Sequence, residues 1–453
     1  MFSGNSRVFE LNIAVVLVVC LVFLVAIGVH IAVALGMTSA LGIFWILGHD
    51  ANAFRTVQVM LAAKAYEGIR DYVFAVIPLF MLMGEFIGKS GAITDVYRGI
   101  NSMLRRLPGR LAIATVVGNA LFSFVTGVSI ASAAAFSRIA YPEMKRHNYH
   151  KGFALGTVAG SSCLGMLIPP SVLMIVWGIL TETSIGKIFL AGVLPGLMLM
   201  ALFILYVLAI ALFKPEMVGG ASKVNEEEIV EVPTSQFFTS LIGIVIVVVA
   251  VLGGIWFGLF SPTEGAGVGA LLGLVLAIIK GMRYREIIDS ILSVGRTSGP
   301  ILLLLVTAAL YSNTLAMTGL ANAIESLFLE SGIPHWMIIG VMVLIWFALG
   351  MIIDSISIML LTAAIFAPIA VKLGYDPLAF AIIGIIAIEA GLLTPPFGLL
   401  VYTVKSAIHG LDPTVNVMTI FKSSTPYWIL MLIGMVLIIV FPEIATILPK
   451  LLF

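Results

Sequence analysis

Runs of about 20 apolar residues recur along the whole chain, the length an α-helix needs to cross about 30 Å of hydrocarbon. This recurrence leaves one fold class open. Spans are expected near 11–29, 30–48, 72–92, 153–181, 188–213, 237–259, 262–280, 298–320, 377–405 and 424–448. Hydrophobic residues fill 61% of 453 positions and charged residues only 10%, against about 25% charged in soluble domains. The reading is an all-α polytopic membrane protein. The first run, "LNIAVVLVVCLVFLVAIGV", is too long for the core of a signal peptide and is taken as a retained span. Cys20 and Cys163 both lie in apolar runs, as buried small hydrophobes and not as a disulfide or a metal pair.

Two regions, 111–143 and 336–370, are too long for one helix and are broken by small or polar residues, "FVTGVSIAS" and "LGMIIDSIS". Each reads as two half-helices meeting at a tip, a re-entrant hairpin. Two other spans, 153–181 and 377–405, carry double prolines at Pro169–Pro170 and Pro395–Pro396. Proline removes a backbone donor and pushes the preceding residue away from helical geometry. Unwound backbone is tolerated at membrane depth only where it is buried in protein or lines a cavity.

The double prolines are 226 residues apart, and the same offset pairs Gly165 with Gly391, Tyr149 with Tyr375 and Pro142 with Pro368. Upstream, "KSGAI" and "MTGLA" match at an offset of 228. The chain is therefore an internal repeat. Loop charge orients the copies, because Lys and Arg concentrate on the cytoplasmic side of bacterial membranes. The first hairpin is flanked by Arg98, Arg105, Arg106 and Arg110, then by Lys145, Arg146 and Lys151. The second is flanked by Glu325 and Glu330, then by Lys372 and Asp376. The first thus enters from the cytoplasm and the second from outside. Inverted repeats with broken helices at the midplane are the architecture of secondary transporters. The expected layout is scaffold spans in 1–71, a first inverted repeat in 72–213, a polar cytoplasmic linker in 214–236, scaffold spans in 237–297 and a second inverted repeat in 298–453.

The chemistry follows from the broken segments. Carbonyls released by the prolines, with the hydroxyls of Ser161, Ser162, Ser171 and Thr394, are hard neutral donors suited to Na⁺. The tips add Thr126, Gly127, Ser129 and Ser132 in one copy and Gly350, Asp354, Ser355 and Ser357 in the other. Helix N-termini starting there direct free amides at a carboxylate. Thr126, Gly127, Ser161, Ser162 and Ser357 are the candidates for touching such a substrate. The bland alternative for each serine is back-bonding to its own helix. Asp354 and Glu389 are intramembrane acids, which either hold an ion or organise a hairpin. Glu264 suits a helix N-cap or a transport role, and Asn313 suits a bridge between helices. The six histidines lack metal-ligand spacing, and no "GxxxxGK[ST]" phosphate loop is present, which argues against ATP as energy source.

The segments "GSSCLGMLIPPS", "FSPTEGAGVGA", "GMIIDSISIMLLTAAIFAPI" and "GLLTPPFGL", in this chain's arrangement, resemble the large membrane subunit of TRAP (tripartite ATP-independent periplasmic) transporters. The resemblance covers nearly the whole chain. It implies an elevator-type importer of the bacterial inner membrane, driven by Na⁺. A small four-helix membrane subunit and a periplasmic substrate-binding protein would be its partners, in a lipid setting and without nucleic acid. Cargoes of the family are organic acids, among them C4-dicarboxylates, sialic acids and keto acids. Carried onto this chain, one Na⁺ site would use Ser129, Ser132, Gly165, Ile168 and Pro170. A second would use Gly350, Asp354, Ser355, Gly391, Thr394 and Pro396. The resemblance also implies that no small subunit is fused ahead of residue 72, and that 188–213 and 424–448 stand among the outer scaffold spans. Two other readings compete: a single-component sodium-coupled anion carrier, and an intramembrane enzyme, for which no nucleophile–base pair stands in the sequence.

Overall fold

The computed structural model describes residues 3–47, 51–219, 233–319 and 333–453. Residues 220–232, which hold the acidic part of the expected linker, lie outside the described residues, as do Glu325 and Glu330. Among the described residues the regular structure is helical, and Tyr149 and Val218 form one isolated bridge. Eight of these helices are long and apolar enough to cross a membrane: Tyr72–Lys89, Lys151–Leu180, Ile185–Phe213, Thr234–Trp256, Pro262–Ile279, Tyr284–Met317, Ser355–Lys372 and Val417–Val440.

Both hairpins form where the sequence places them. Hairpin 1 has arms Arg110–Thr126 and Ser129–Arg146, and hairpin 2 has arms His335–Gly350 and Ser355–Lys372. Both proline-bearing spans are broken. Span 1 runs as Lys151–Ser162, Leu164–Leu167 and Val172–Leu180, and span 2 as Pro377–Gly391 and Leu399–Ile408. Span 1 is almost wholly enclosed by protein, so its freed backbone groups meet protein and not lipid.

Local chemistry sets several boundaries. Pro262 takes the first helical position behind a Ser261–Glu264 capping box, so Glu264 serves as a cap. The Glu264 carboxylate accepts from the Ser261 backbone N–H at 2.8 Å. Asp376 caps the helix that begins at Pro377. The helix expected from 298 starts at Tyr284, because its charged first turns continue the same helix beyond the apolar stretch. Two amphipathic helices, Ala51–Arg70 and Ala92–Met103, were not expected as separate elements.

Packing divides these helices into two groups. In the first, Pro262–Ile279 lies along Val76–Lys89, and Tyr284–Met317 lies along Ile31–Ile46. Gly269 and Gly273 allow the first contact, since a Cβ on Gly269 would sit 2.6 Å from Met83 Sδ. A half-buried ion pair, Asp95–Lys280, ties Ala92–Met103 to this group, with Ser240 donating to Asp95 at 2.9 Å. The second group holds both hairpins, both broken spans and two helices expected outside them. Val417–Val440 packs on Lys151–Ser162 and on Pro377–Gly391, and Ile185–Phe213 packs on Arg110–Thr126. Gly156 and Gly160 explain the close approach: a Cβ there would lie 2.3 Å from the Ser423 carbonyl oxygen and 2.1 Å from the Tyr427 ring. Val76–Lys89 and Ala92–Met103 also pack on Arg110–Thr126, so the two groups share a seam along hairpin 1.

At the base of hairpin 1, Asp412 accepts from Thr414 (2.6 Å) and Tyr141 (3.0 Å) and pairs with Lys145 (3.0 Å) and Lys151 (2.9 Å). One carboxylate thus fastens the hairpin to both broken spans.

Candidate functional site

Each hairpin tip closes on the break of its own repeat. Hairpin 1 turns at Gly127, whose φ is +61°. A Cβ there would lie 2.2 Å from the Pro170 carbonyl oxygen, so the turn requires glycine for both conformation and space. The Gly127 carbonyl accepts from the Val172 N–H at 3.1 Å. Gly165 backs onto the start of the second arm, where a Cβ would stand 2.9 Å from Ser129 Cα. In hairpin 2, the Met351 carbonyl accepts from Phe397 N–H (3.1 Å) and Gly398 N–H (3.4 Å). Gly350 and Gly391 meet backbone to backbone, a Cβ on Gly350 falling 2.9 Å from Gly391 Cα. Val172 and Gly398 are 226 residues apart, and each docks its break on a tip through its N–H, although the acceptors Gly127 and Met351 are 224 apart. The Pro169–Pro170 and Pro395–Pro396 peptide bonds are both cis.

The two units meet at Glu389. Its Oε1 accepts from Ser355 Oγ at 2.9 Å, and Ser129 stands at the same carboxylate from the other hairpin. Glu389 Oε2 and Ser129 Oγ are buried, and neither has a hydrogen-bond partner. The Glu389 carbonyl receives Cys163 Sγ at 3.6 Å. Ser129 and Ser355 are 226 apart, as are Cys163 and Glu389. Repeat mates therefore face each other across the internal two-fold: a pair of serines, and a cysteine whose mate has become an acid.

Hairpin 1 carries a polar chain that the sequence reading missed. Asn119 donates to Ser161 Oγ (2.6 Å) and accepts from Ser132 Oγ (2.5 Å). Ser161 donates to the Thr157 carbonyl (2.6 Å), and Tyr427 OH donates to Thr157 Oγ1 (2.8 Å). All five residues are buried. An asparagine inside the apolar run "VVGNALFS" was the available signal.

The remaining sequence candidates separate. Asp354 caps the second arm of hairpin 2, accepting from Ser357 N–H (3.0 Å) and Oγ (2.5 Å). Ser162, Thr126 and Thr394 bond back to the carbonyls of Ala159, Phe122 and Gly391. Ser171 donates to the Met166 carbonyl (2.5 Å) and accepts from Met174 N–H, bridging the break. Ile168 is buried, with extended backbone. Asn313 makes no hydrogen bond among the described residues, so the bridge expected of it is not formed.

A cavity of about 560 Å³ opens between the tips and the other helix group. Thr126 and Val128 of tip 1, Asp354 and Ser355 of tip 2, Gly84 and Lys89 of Val76–Lys89, and Thr297 of Tyr284–Met317 line it. Most of its wall is apolar.

Residues 18–444 match the family described as "Tripartite ATP-independent periplasmic transporter, DctM component". The chain belongs to the TRAP transporter large-permease family. It is 32% identical over 392 residues to the C4-dicarboxylate TRAP large permease DctM of Pseudomonas aeruginosa, covering 86% of this chain and 89% of that one. It is also 27% identical to the sialic acid TRAP large permease SiaM of Vibrio cholerae, with 90% and 92% covered. With the ectoine TRAP large permease TeaC of Halomonas elongata it shares 26% identity, with 97% and 99% covered. In fold it resembles the YdaH transporter of Alcanivorax borkumensis (TM-score 0.63, 14% identity, 88% and 89% covered). The MtrF structure of Neisseria gonorrhoeae is similar too (TM-score 0.60, 15% identity, 88% and 85% covered). The TRAP permease is thus a multi-pass protein of the bacterial inner membrane.

Proposed function

We propose that this TRAP permease is the sodium-coupled, elevator-type membrane subunit of an organic-anion importer. A small membrane subunit and a periplasmic binding protein complete it, and it performs no covalent chemistry on its cargo. One observation carries the reading: two hairpin tips dock on two broken spans through backbone bonds from repeat-equivalent donors, with buried oxygens between them that are unpaired among the described residues.

The residues present fit a monovalent cation. Ser129 Oγ and the carbonyls around Gly165, Ile168 and Pro170 supply neutral oxygens in the first unit. The second unit supplies Ser355, the Gly391 and Thr394 oxygens, the backbone at Gly350 and Pro396, and the Asp354 carboxylate. Hard oxygens with little fixed charge suit Na⁺ better than a divalent or soft metal. A bound ion would supply the positive field that draws the tips onto the breaks and stabilises a carboxylate in the cavity. Ser132 works through Asn119, and Ser161 and Ser162 shape the wall from behind.

The moving part would be the second helix group, which the Asp412 cluster and the glycine contacts bind into one body. Its partner across the cavity is the group containing Val76–Lys89 and Tyr284–Met317.

The test is uptake by the reconstituted three-part system. Removing Na⁺ while a membrane potential is held should abolish it, and unchanged uptake would overturn sodium coupling. Robust uptake by this chain alone would favour the single-component carrier instead.

A further inference from the structure

Two acids, Glu85 and Asp354, and two bases, Lys89 and Arg138, line the cavity, and only one pair of them is joined. Glu85 and Lys89 pair with each other at 2.9 Å. Asp354 is turned onto Ser357 as a helix cap and belongs to the proposed second ion site. That leaves Arg138, on the second arm of hairpin 1. It is exposed to the cavity, and no carboxylate among the described residues reaches it. Nine residues separate it from Ser129, about 13 Å along a helix. It therefore stands on the side of the cavity away from the tips. It also lines a second recess of about 350 Å³, bounded by Leu399, Tyr402, Thr403 and Ser406 of span 2. One guanidinium marks the junction of the two spaces.

An arginine facing an apolar-walled space has a hydrated charge and a rigid fork of donors that match a carboxylate two bonds at a time. Around it are Ile130, Ile139, Phe122, Met81 and Met166, which offer an organic body contact area but no second cation. The Lys89 charge is already taken by Glu85. A dicarboxylate in this space would leave one carboxylate without a side-chain cation of its own, dependent on the field of the bound ions alone. A cargo with a single carboxylate leaves none.

We infer that Arg138 is the counter-charge for the cargo in the cavity, and that the cargo is a monocarboxylate with an uncharged, mainly apolar body. This deepens the proposed transport role and rests on it. Arg138 binds the carboxylate through its two terminal nitrogens while the apolar wall covers the rest. The neighbouring recess gives the cargo a route along span 2 once the tips release it. Arg138 is exposed, so replacing it leaves the buried packing of the arm intact.

The test is direct binding to the purified full chain in lipid nanodiscs, in Na⁺ buffer. The probes are phenylpyruvate, 4-methyl-2-oxopentanoate and hexanoate, with succinate, ectoine and hexanamide as comparisons. The wild type should bind at least one monocarboxylate more tightly than succinate or ectoine. Arg138→Gln should weaken that binding roughly tenfold or more, the scale of one charge-assisted contact. Arg138→Lys should keep part of it, since the charge stays and the two-bond fork is lost, and hexanamide should bind the wild type and Arg138→Gln alike. Three results would overturn the inference: equal monocarboxylate binding by Arg138→Gln and wild type, tighter binding of succinate, or no monocarboxylate bound by the wild type. Binding of ²²Na⁺ without cargo is measured in parallel. Its loss in the wild type would strike the sodium-coupled reading alone, while its retention in Arg138→Gln confines the effect to the anion.

Discussion

In span 1 the break is sealed. Ser171 bridges it, donating to the Met166 carbonyl and accepting from Met174, and residues 161–178 are buried throughout. At the equivalent place in span 2 the residue is Phe397, 59% exposed, and Pro395 and Pro396 are exposed beside it. The second break restarts its helix from Gly398, with φ +52° and no side-chain cap. The docking bond to the hairpin tip survives in both. What the repeats share is backbone geometry next to the tips; what they do not share is the side chains that close the site. Symmetry is retained in the backbone beside the tips and relaxed in the side chains that cover it. The centre shows the same division, with matched serines at Ser129 and Ser355 but an acid opposite Cys163.

The central asymmetry gives the largest expected effect. Glu389→Gln keeps an acceptor for Ser355 and adds a donor facing Ser129, so folding stability should change by about 1 kcal/mol or less. Uptake by the reconstituted system should nevertheless fall roughly tenfold or more, because the acid joining the two tips is gone. Cys163→Ala, at the mate position, should leave uptake within about twofold, since a buried thiol acts here as a small hydrophobe. Equal losses in the two variants would erase the functional difference between the repeats.

Much of this arrangement was legible in the residues. The hairpins expected over 111–143 and 336–370 run as Arg110–Arg146 and His335–Lys372, because an apolar run too long for one helix and notched by glycine has few other solutions. The breaks followed from the double prolines. The offset of 226 would also have paired Ser129 with Ser355, had it been applied to every small polar residue. The bonds of Thr157 and Tyr427 were out of reach, since they span up to 270 positions and nothing local marks them; Asn119 stood out in its apolar run, but its partners did not. The amphipathic helices Ala51–Arg70 and Ala92–Met103 were missed because the reading weighed apolar length, and their apolar residues form only one face. Hydropathy reports that a helix is covered by something apolar, not whether lipid or a neighbouring span does the covering.

The hairpin bases extend the comparison. Hairpin 1 is held by Asp412, which draws on two elements beyond its own loop, whereas Asp376 beside hairpin 2 caps only its own helix. The Asp412 carboxyl is held well below the usual carboxylate range, first by the Thr414 hydroxyl and then by Lys151 and Lys145. Asp412→Asn should destabilise the purified chain by about 2 kcal/mol, the scale of bonds to a charged group, discounted because both lysines are half exposed. A depressed carboxyl stabilises the fold at any pH above its unfolded value and stops doing so as pH falls through its folded value. The deficit of the variant should therefore be constant across neutral and mildly acidic pH and narrow only below about pH 4. Thermal unfolding across that range decides it, and a deficit that changes near neutrality would place another group at the base. Asp376→Ala should cost about 1 kcal/mol, as for one lost cap.

The smallest expected effect bears most directly on the sealed and open breaks. Ser171→Ala removes the bond to the Met166 carbonyl and the acceptor for Met174 N–H, so the chain should lose about 1 kcal/mol, the usual weight of an N-cap hydroxyl. Phe397→Ala trims a ring that the isolated chain leaves mostly uncovered, and the loss should stay within about 0.5 kcal/mol. Both are read by thermal unfolding of the isolated chain, where no other subunit covers either break. A Phe397 loss equal to that of Ser171 would mean that the second break is sealed after all, by its own ring. The contrast would then lie in the kind of closure, a hydroxyl bridge in one repeat and an apolar plug in the other, and not in its presence.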